Sequence, residues 1–164
     1  MEKSGKKNQE KKTIPEVTTF PVPFASKKVK ENVTFSNKSA KDSQEKIISQ
    51  AFKFHLQGNF SEAAKFYQNF IKLGFNDPRV FSNYAIILND IGKKKEAAIL
   101  LRKAIKLKPD FASAYCNLGT ILNDLGKSLE AEMFLGKAIQ LEPDCADYHS
   151  NFGTILKNIG KLKE

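Results

Sequence analysis

The stretch Asn117-Leu-Gly-Thr-Ile-Leu-Asn-Asp-Leu-Gly126 decides the fold, because the chain repeats it at a fixed interval. Sliding the sequence along itself by 34 residues places it on Asn83-Tyr-Ala-Ile-Ile-Leu-Asn-Asp-Ile-Gly92 in one direction and Asn151-Phe-Gly-Thr-Ile-Leu-Lys-Asn-Ile-Gly160 in the other. The residues that follow agree as well: Ala104-Ile-Lys-Leu-Lys-Pro-Asp110 pairs with Ala138-Ile-Gln-Leu-Glu-Pro-Asp144. Run backwards, the same shift reaches Ala51 to Gly58 and then Ser61 to Tyr67. A fixed period of this length means stacked supersecondary units, none of which buries its own apolar face alone.

Within a unit the apolar spacing is helical, with Tyr115, Leu118, Leu122 and Leu125 on one face. Gly126 is expected to end that helix, as Gly58, Gly92 and Gly160 do in their units, because glycine enters a left-handed turn without steric cost. A second helix follows, with Leu129, Met133 and Ile139 on apolar faces. Pro143 closes the unit, and Asp144 is placed to cap the next helix. Small residues recur where two helices must approach: Ala51, Ala85, Gly119 and Gly153 in the first helix, and Ala63, Ala97 and Ala131 in the second. The spacing predicts an all-α protein, an α-solenoid of helix-turn-helix units at 44–77, 78–111, 112–145 and a partial 146–164. That is three complete hairpins and one extra helix, Ala146 to about Ile159.

Tyr115, Leu118-Gly119, Leu122, Ala131, Leu135 and Pro143 resemble the tetratricopeptide repeat (TPR), as do Phe81, Tyr84-Ala85, Leu88, Ala97, Leu101 and Pro109 in the unit before. The resemblance covers residues 44–164. The first unit departs from the pattern: Ile47 replaces the early aromatic, Phe70 stands where a small residue is expected, and Phe75 takes the place of the closing proline. An end unit tolerates such departures because one of its sides has no neighbour.

The resemblance implies a right-handed superhelix whose first helices line a concave face. Asn83, Asn117 and Asn151 fall at one place in successive first helices, with Ser49 in the first unit. This column resembles the asparagine ladder of the repeats in O-linked N-acetylglucosamine transferases, where side-chain amides hold a polypeptide backbone without reading its sequence. An amide suits that task because it offers a peptide group both a donor and an acceptor. Asn is also common at this place in such repeats whatever they bind. Asn89, Asp90, Asn123 and Asp124 are expected nearby, with Ser82, Cys116 and Ser150 beside the column, giving a polar, mildly acidic floor. That floor favours a basic or neutral extended peptide. The carboxylate clamp by which some members hold chaperone tails is not expected, because the matching places carry Ile48, Phe52, Asn83, Ser113 and Asn117.

Residues 1–43 read as a disordered basic leader, with ten Lys against five acids and Pro15, Pro21 and Pro23 interrupting any helix. One island, Val17-Thr-Thr-Phe-Pro-Val-Pro-Phe24, is apolar and extended, since a residue before proline is pushed out of the helical region. It is either a linker or a segment whose Phe20 and Phe24 dock on the helices or on a partner. The leader carries about half of the net charge of +9, and the whole chain holds only Arg79 and Arg102 as arginines. Both facts argue against nucleic acid as the partner, since phosphate and base recognition favours the forked guanidinium. The basic residues of the second helices, Lys93 to Lys95, Arg102, Lys103, Lys106 and Lys108, read as a solvated convex face.

Cys116 and Cys145 form no CxxC pair and have no His at metal spacing, so neither a metal nor another cofactor is expected. With no signal-peptide pattern and no apolar run of spanning length, the expectation is a cytoplasmic protein without a membrane partner. His55 and His149 stand in different units without an acid or nucleophile at fixed spacing, and His149, replacing an early aromatic, is expected to pack. No enzyme activity is expected within these residues.

The last helix offers Phe152, Ile155, Leu156 and Ile159, an apolar side with no following unit. Truncation of a longer protein, an imperfect cap, or self-association through this helix would each account for it. Two functions follow: an interaction module that binds an extended peptide or partner protein in the concave groove, or the substrate-recruiting arm of a longer bacterial enzyme. By resemblance that enzyme would be a glycosyltransferase, sulfotransferase or methyltransferase.

Overall fold

The structure is a computed structural model that describes residues 35–161. The Phe20 and Phe24 island lies outside the described residues, as do residues 162–164. Seven helices account for the described chain: α1 (Phe35–Leu56), α2 (Phe60–Lys72), α3 (Pro78–Asp90), α4 (Lys94–Leu107), α5 (Ala112–Asp124), α6 (Ser128–Leu141) and α7 (Ala146–Lys161). Consecutive helices pack as hairpins, and α5 also meets α3 and α7, the first helices of the units on either side. The result is the expected α-solenoid. Its first helix begins earlier than the sequence pattern suggested: α1 takes up Phe35 to Ser43, which composition alone read as leader.

The glycine turns are as the period implied for three units. Gly58, Gly92 and Gly126 have φ of 72°, 81° and 75°, where an L side chain is strained. Gly160 differs: it lies inside α7, which runs on to Lys161.

Caps follow local chemistry. Asp77 accepts from the Arg79 amide at 2.8 Å, with Pro78 in the first helical position where no amide is needed. Asp144 does not take the capping place expected of it, because α7 begins at Ala146 and its Tyr148 amide turns instead to the Cys145 carbonyl at 3.1 Å.

The core runs between the two helix layers. Ala51, Ala63, Ala85, Ala97 and Ala131 are all fully buried, as close helix approach requires. Gly119 shows why the position must be small: a Cβ there would lie 3.1 Å from the Ala131 carbonyl oxygen and 3.3 Å from the Leu135 Cβ. In the atypical first unit, Phe70 and Phe75 fill with two rings, 5.3 Å between centroids, the space that a small residue and a proline leave elsewhere. The fully buried Phe70 contributes about 1.5–3 kcal/mol, and the half-buried Phe75 less.

Two expected apolar positions prove to be surface. Leu129 is 66% and Met133 74% exposed on α6, so the second helix buries a narrower stripe than the sequence suggested, made of Ala131, Leu135 and Ala138. His149 is also exposed, and a ring nitrogen donates to the Pro143 carbonyl at 2.7 Å instead of packing. The aromatic place in that unit passes to its neighbour Tyr148, which is buried. On α7, Ile155 and Ile159 turn into the core and Leu156 remains exposed.

Candidate peptide-binding face

The repeat period sets the side chains of α3, α5 and α7 in register. Ser82 and Cys116, then Asn83, Asn117 and Asn151, then Ile86, Thr120 and Thr154, then Asn89 and Asn123 occupy successive levels of one stripe. Hydrogen bonds tie the levels across helices. Asn151 Nδ2 on α7 lies 3.4 Å from Cys116 Sγ on α5, and Asn158 Nδ2 on α7 donates to Asn123 Oδ1 on α5 at 3.1 Å. Arg79 on α3 places its guanidinium 5.6 Å from the Phe52 ring centroid on α1, while its charge is held by Asp77 at 2.7 Å.

The asparagine column is not an open ladder. Asn117 has no exposed surface, Asn83 and Asn151 are buried, and Ser49 stands apart from them, exposed on α1. Asn83 is anchored from behind, its amide hydrogen-bonding the Tyr67 hydroxyl, which in turn lies 3.1 Å from His55 Nδ1. This chain of bonds fixes the amide by contacts two helices deep. Neither Tyr67 nor His55 was singled out for the site from sequence, because no motif spacing connects residues on the two arms of a hairpin.

Unequal pairing along the stripe follows from unequal residues at one repeat position. Asn123 Oδ1 accepts twice, from Asn158 and from the Ser128 hydroxyl at 2.9 Å. One unit earlier, the places of Asn158 and Ser128 are taken by Asp124 and Lys94, which pair with each other at 2.8 Å. Asn89 Oδ1 is therefore left buried without a hydrogen-bond partner among the described residues. Ser82 Oγ is in the same state, and Thr120 Oγ1 has only the Cys116 sulfur, a weak acceptor. A buried polar group without a partner costs about 1–3 kcal/mol.

The electrostatics are mild. Asp90 and Asp124 are exposed at the C-terminal ends of α3 and α5. Burial raises the Asp90 carboxyl above the ordinary carboxylate range, a tendency that the Asn89 hydrogen bond and nearby His55 oppose. Burial pushes the Cys116 thiol up to about 12, so it stays protonated. Among the described residues no group of three His, Cys, Asp or Glu is placed to hold a metal ion, and no helix is long and apolar enough to cross a membrane.

Comparison with known proteins agrees with this architecture. Residues 87–126 match the family described as TPR repeat, and residues 112–145 match that described as tetratricopeptide repeat, together about a third of the chain. A search of curated proteins found no significant match. Among solved structures, the first TPR of Spaghetti (RPAP3) bound to the HSP90 peptide SRMEEVD is similar, with a TM-score of 0.67 and 20% identity over 71% of this chain and 93% of that one. The second TPR domain of human RPAP3, in complex with the HSP70 peptide SGPTIEEVD, has a TM-score of 0.61 and 24% identity over 66% and 91%. The O-GlcNAc transferase of Thermobaculum terrenum (mutant K341M) has a TM-score of 0.66 and 22% identity, over 76% of this chain but 23% of that chain. That likeness is one of fold.

Proposed function

Since this chain carries tetratricopeptide repeats, we propose that it is a protein-interaction module that holds an extended peptide of a partner along the first-helix face. The observation that carries this reading is the registered polar stripe: Asn83, Asn117 and Asn151, with the oxygens of Ser82 and Asn89 beside them that have no hydrogen-bond partner among the described residues. Amides and hydroxyls in this arrangement match the alternating donors and acceptors of a peptide backbone. Asn123, Asp90 and Asp124 continue the floor, while Ser49, exposed on α1, stands apart from it. The HSP90 and HSP70 peptides of the similar structures show what those domains bind. An acidic tail is not proposed here, because Ile48, Phe52, Ser113 and the asparagines stand where a cationic clamp would need Lys or Arg.

The test is capture from an array of neutral and basic twelve-residue peptides by the full chain, at low and high salt. Peptide capture that survives salt and falls at least tenfold in Asn83→Ala/Asn117→Ala protein, with helicity retained, is the expected result. Capture unaffected by those substitutions overturns the reading. A steep loss with salt in both proteins would point to charge-driven binding such as that of nucleic acid.

A second reading is favoured by the similarity to the Thermobaculum terrenum enzyme. Here the same face would recruit protein substrates for a catalytic domain on a longer bacterial polypeptide, a glycosyltransferase, sulfotransferase or methyltransferase. The intact mass of the protein isolated from its own cells decides between the two: a species much larger than this chain supports the recruiting arm, and one of the chain's own mass removes it.

A further inference from the structure

We propose that the groove between the second helices α2 and α4 takes one arginine side chain of a partner polypeptide. This docking point is apart from the asparagine column and independent of the peptide-binding reading.

The groove has Tyr84 of α3 in its floor and Ile99 and Leu100 of α4 as an apolar wall. It is open to solvent: Ile99 is 57% exposed, and Gln68 and Glu96 at the edge are exposed as well. The cavity measures about 320 Å³, near the lower end of the roughly 300–1,000 Å³ of ligand pockets. That suits one long side chain.

The next groove along the array shows what fits. A shift of 34 residues sets Gln68 on Arg102, Glu96 on Glu130 and Leu100 on Phe134. There Arg102 of α4 pairs with Glu130 of α6, and its guanidinium lies 5.0 Å from the Phe134 ring centroid. The chain's own arginine thus bridges two second helices. Between α2 and α4 that bridge is missing. Gln68 is shorter and uncharged, and its amide nitrogen donates instead to the Tyr84 hydroxyl at 2.6 Å. Among the described residues Glu96 pairs only with Lys93, at 3.4 Å. Its counterpart Glu130 has the equivalent Lys127 at 4.0 Å and still takes Arg102, so such a lysine does not exhaust the carboxylate.

Chemistry selects arginine and argues against a second copy as its source. An apolar wall beside a carboxylate favours a guanidinium, which is flat, weakly hydrated and able to grip both carboxylate oxygens. Lysine offers a point charge only. The carboxamide oxygen of Gln68 is a further acceptor on the same rim. Lys72 also borders the groove, but Lys106 holds the same repeat position in the unit of Arg102, so a lysine there is compatible with a guanidinium. This chain has two arginines, and both are engaged, Arg79 with Asp77 and Arg102 with Glu130. The arginine therefore comes from a different polypeptide.

The experiment titrates an acetylated, amidated pentapeptide, alanine-leucine-arginine-leucine-alanine, into the isotopically labelled full chain. Shift changes are expected at Gln68, Tyr84, Glu96 and Ile99. Replacing the probe's arginine by lysine should weaken binding about threefold or more. Glu96→Gln, at an exposed position that leaves the fold intact, should weaken it about fivefold. Gln68→Arg/Leu100→Phe, which installs the bridge of the neighbouring groove, should abolish it. No change at these residues at millimolar probe, equal affinity for the two probes, or binding untouched by Glu96→Gln would overturn the proposal. Changes at Asn117 and Asn151 without changes at Glu96 would overturn it too, while leaving the peptide-binding reading in place.

Discussion

The Tyr67 hydroxyl lies 3.1 Å from Nδ1 of His55, inside the first hairpin and directly behind Asn83. Burial lowers the His55 pKa, and the carboxylate of Asp90 offsets this only in part. The neutral imidazole is thus the form the fold accepts. In the unfolded chain His55 titrates near the ordinary value of about 6.5. Below that pH the unfolded state binds more protons than the folded one, so stability falls as pH drops from about 6.5 towards the lower folded pKa. The thermal midpoint of wild type is expected to fall across this window more steeply than that of His55→Gln, measured in parallel to remove the contribution of the carboxylates. Parallel curves would mean that His55 is not the titrating group.

Gly119 and Gly153 occupy the same place in successive repeats but differ in their surroundings. A Cβ at Gly119 meets α6 within 3.3 Å, whereas one at Gly153 meets nothing within 4 Å. Gly119→Leu is expected to destabilise the array by about 1–3 kcal/mol through overpacking. Gly153→Ala is expected to stabilise α7 by about 0.5–1 kcal/mol, because only the helix-propensity gain remains. Urea unfolding of the two variants and wild type gives both signs in one series.

The period, the hairpins and the small residues at helix crossings were legible because repetition exposes them without any alignment to other proteins. Columns such as Asn83, Asn117 and Asn151 were legible for the same reason. How deep those columns lie was not, since a period of 34 fixes the face of a helix but not what covers it. The exposed Leu129 and Met133 mark the same limit: hydrophobic residues at helical spacing do not say how wide the buried stripe is. The Asn83, Tyr67 and His55 chain joins three helices, and no local pattern encodes such a contact. Asn158 could have been found, because the shift sets it in the column of Asp90 and Asp124, where an amide replaces two carboxylates.

The two thiols should differ in reactivity. Cys116 is fully buried beside Asn117 with its pKa pushed up to about 12, whereas Cys145 is partly exposed before α7. Since only the thiolate is nucleophilic, iodoacetamide at pH 8 is expected to modify Cys145 first and Cys116 at least a hundredfold more slowly. Peptide mapping by mass spectrometry reads this directly. Similar rates at the two sites would show that the stripe around Asn117 opens readily in solution.

Where a captured peptide sits is the most direct test of the account. Backbone amide shifts of the isotopically labelled full chain, recorded while a peptide selected from the array is titrated in, give the answer residue by residue. The account predicts the largest changes along α3, α5 and α7, centred on Ser82, Asn83, Asn117 and Thr120. Changes confined to α4 and α6, on the face that carries Ile99 and Met133, would contradict it.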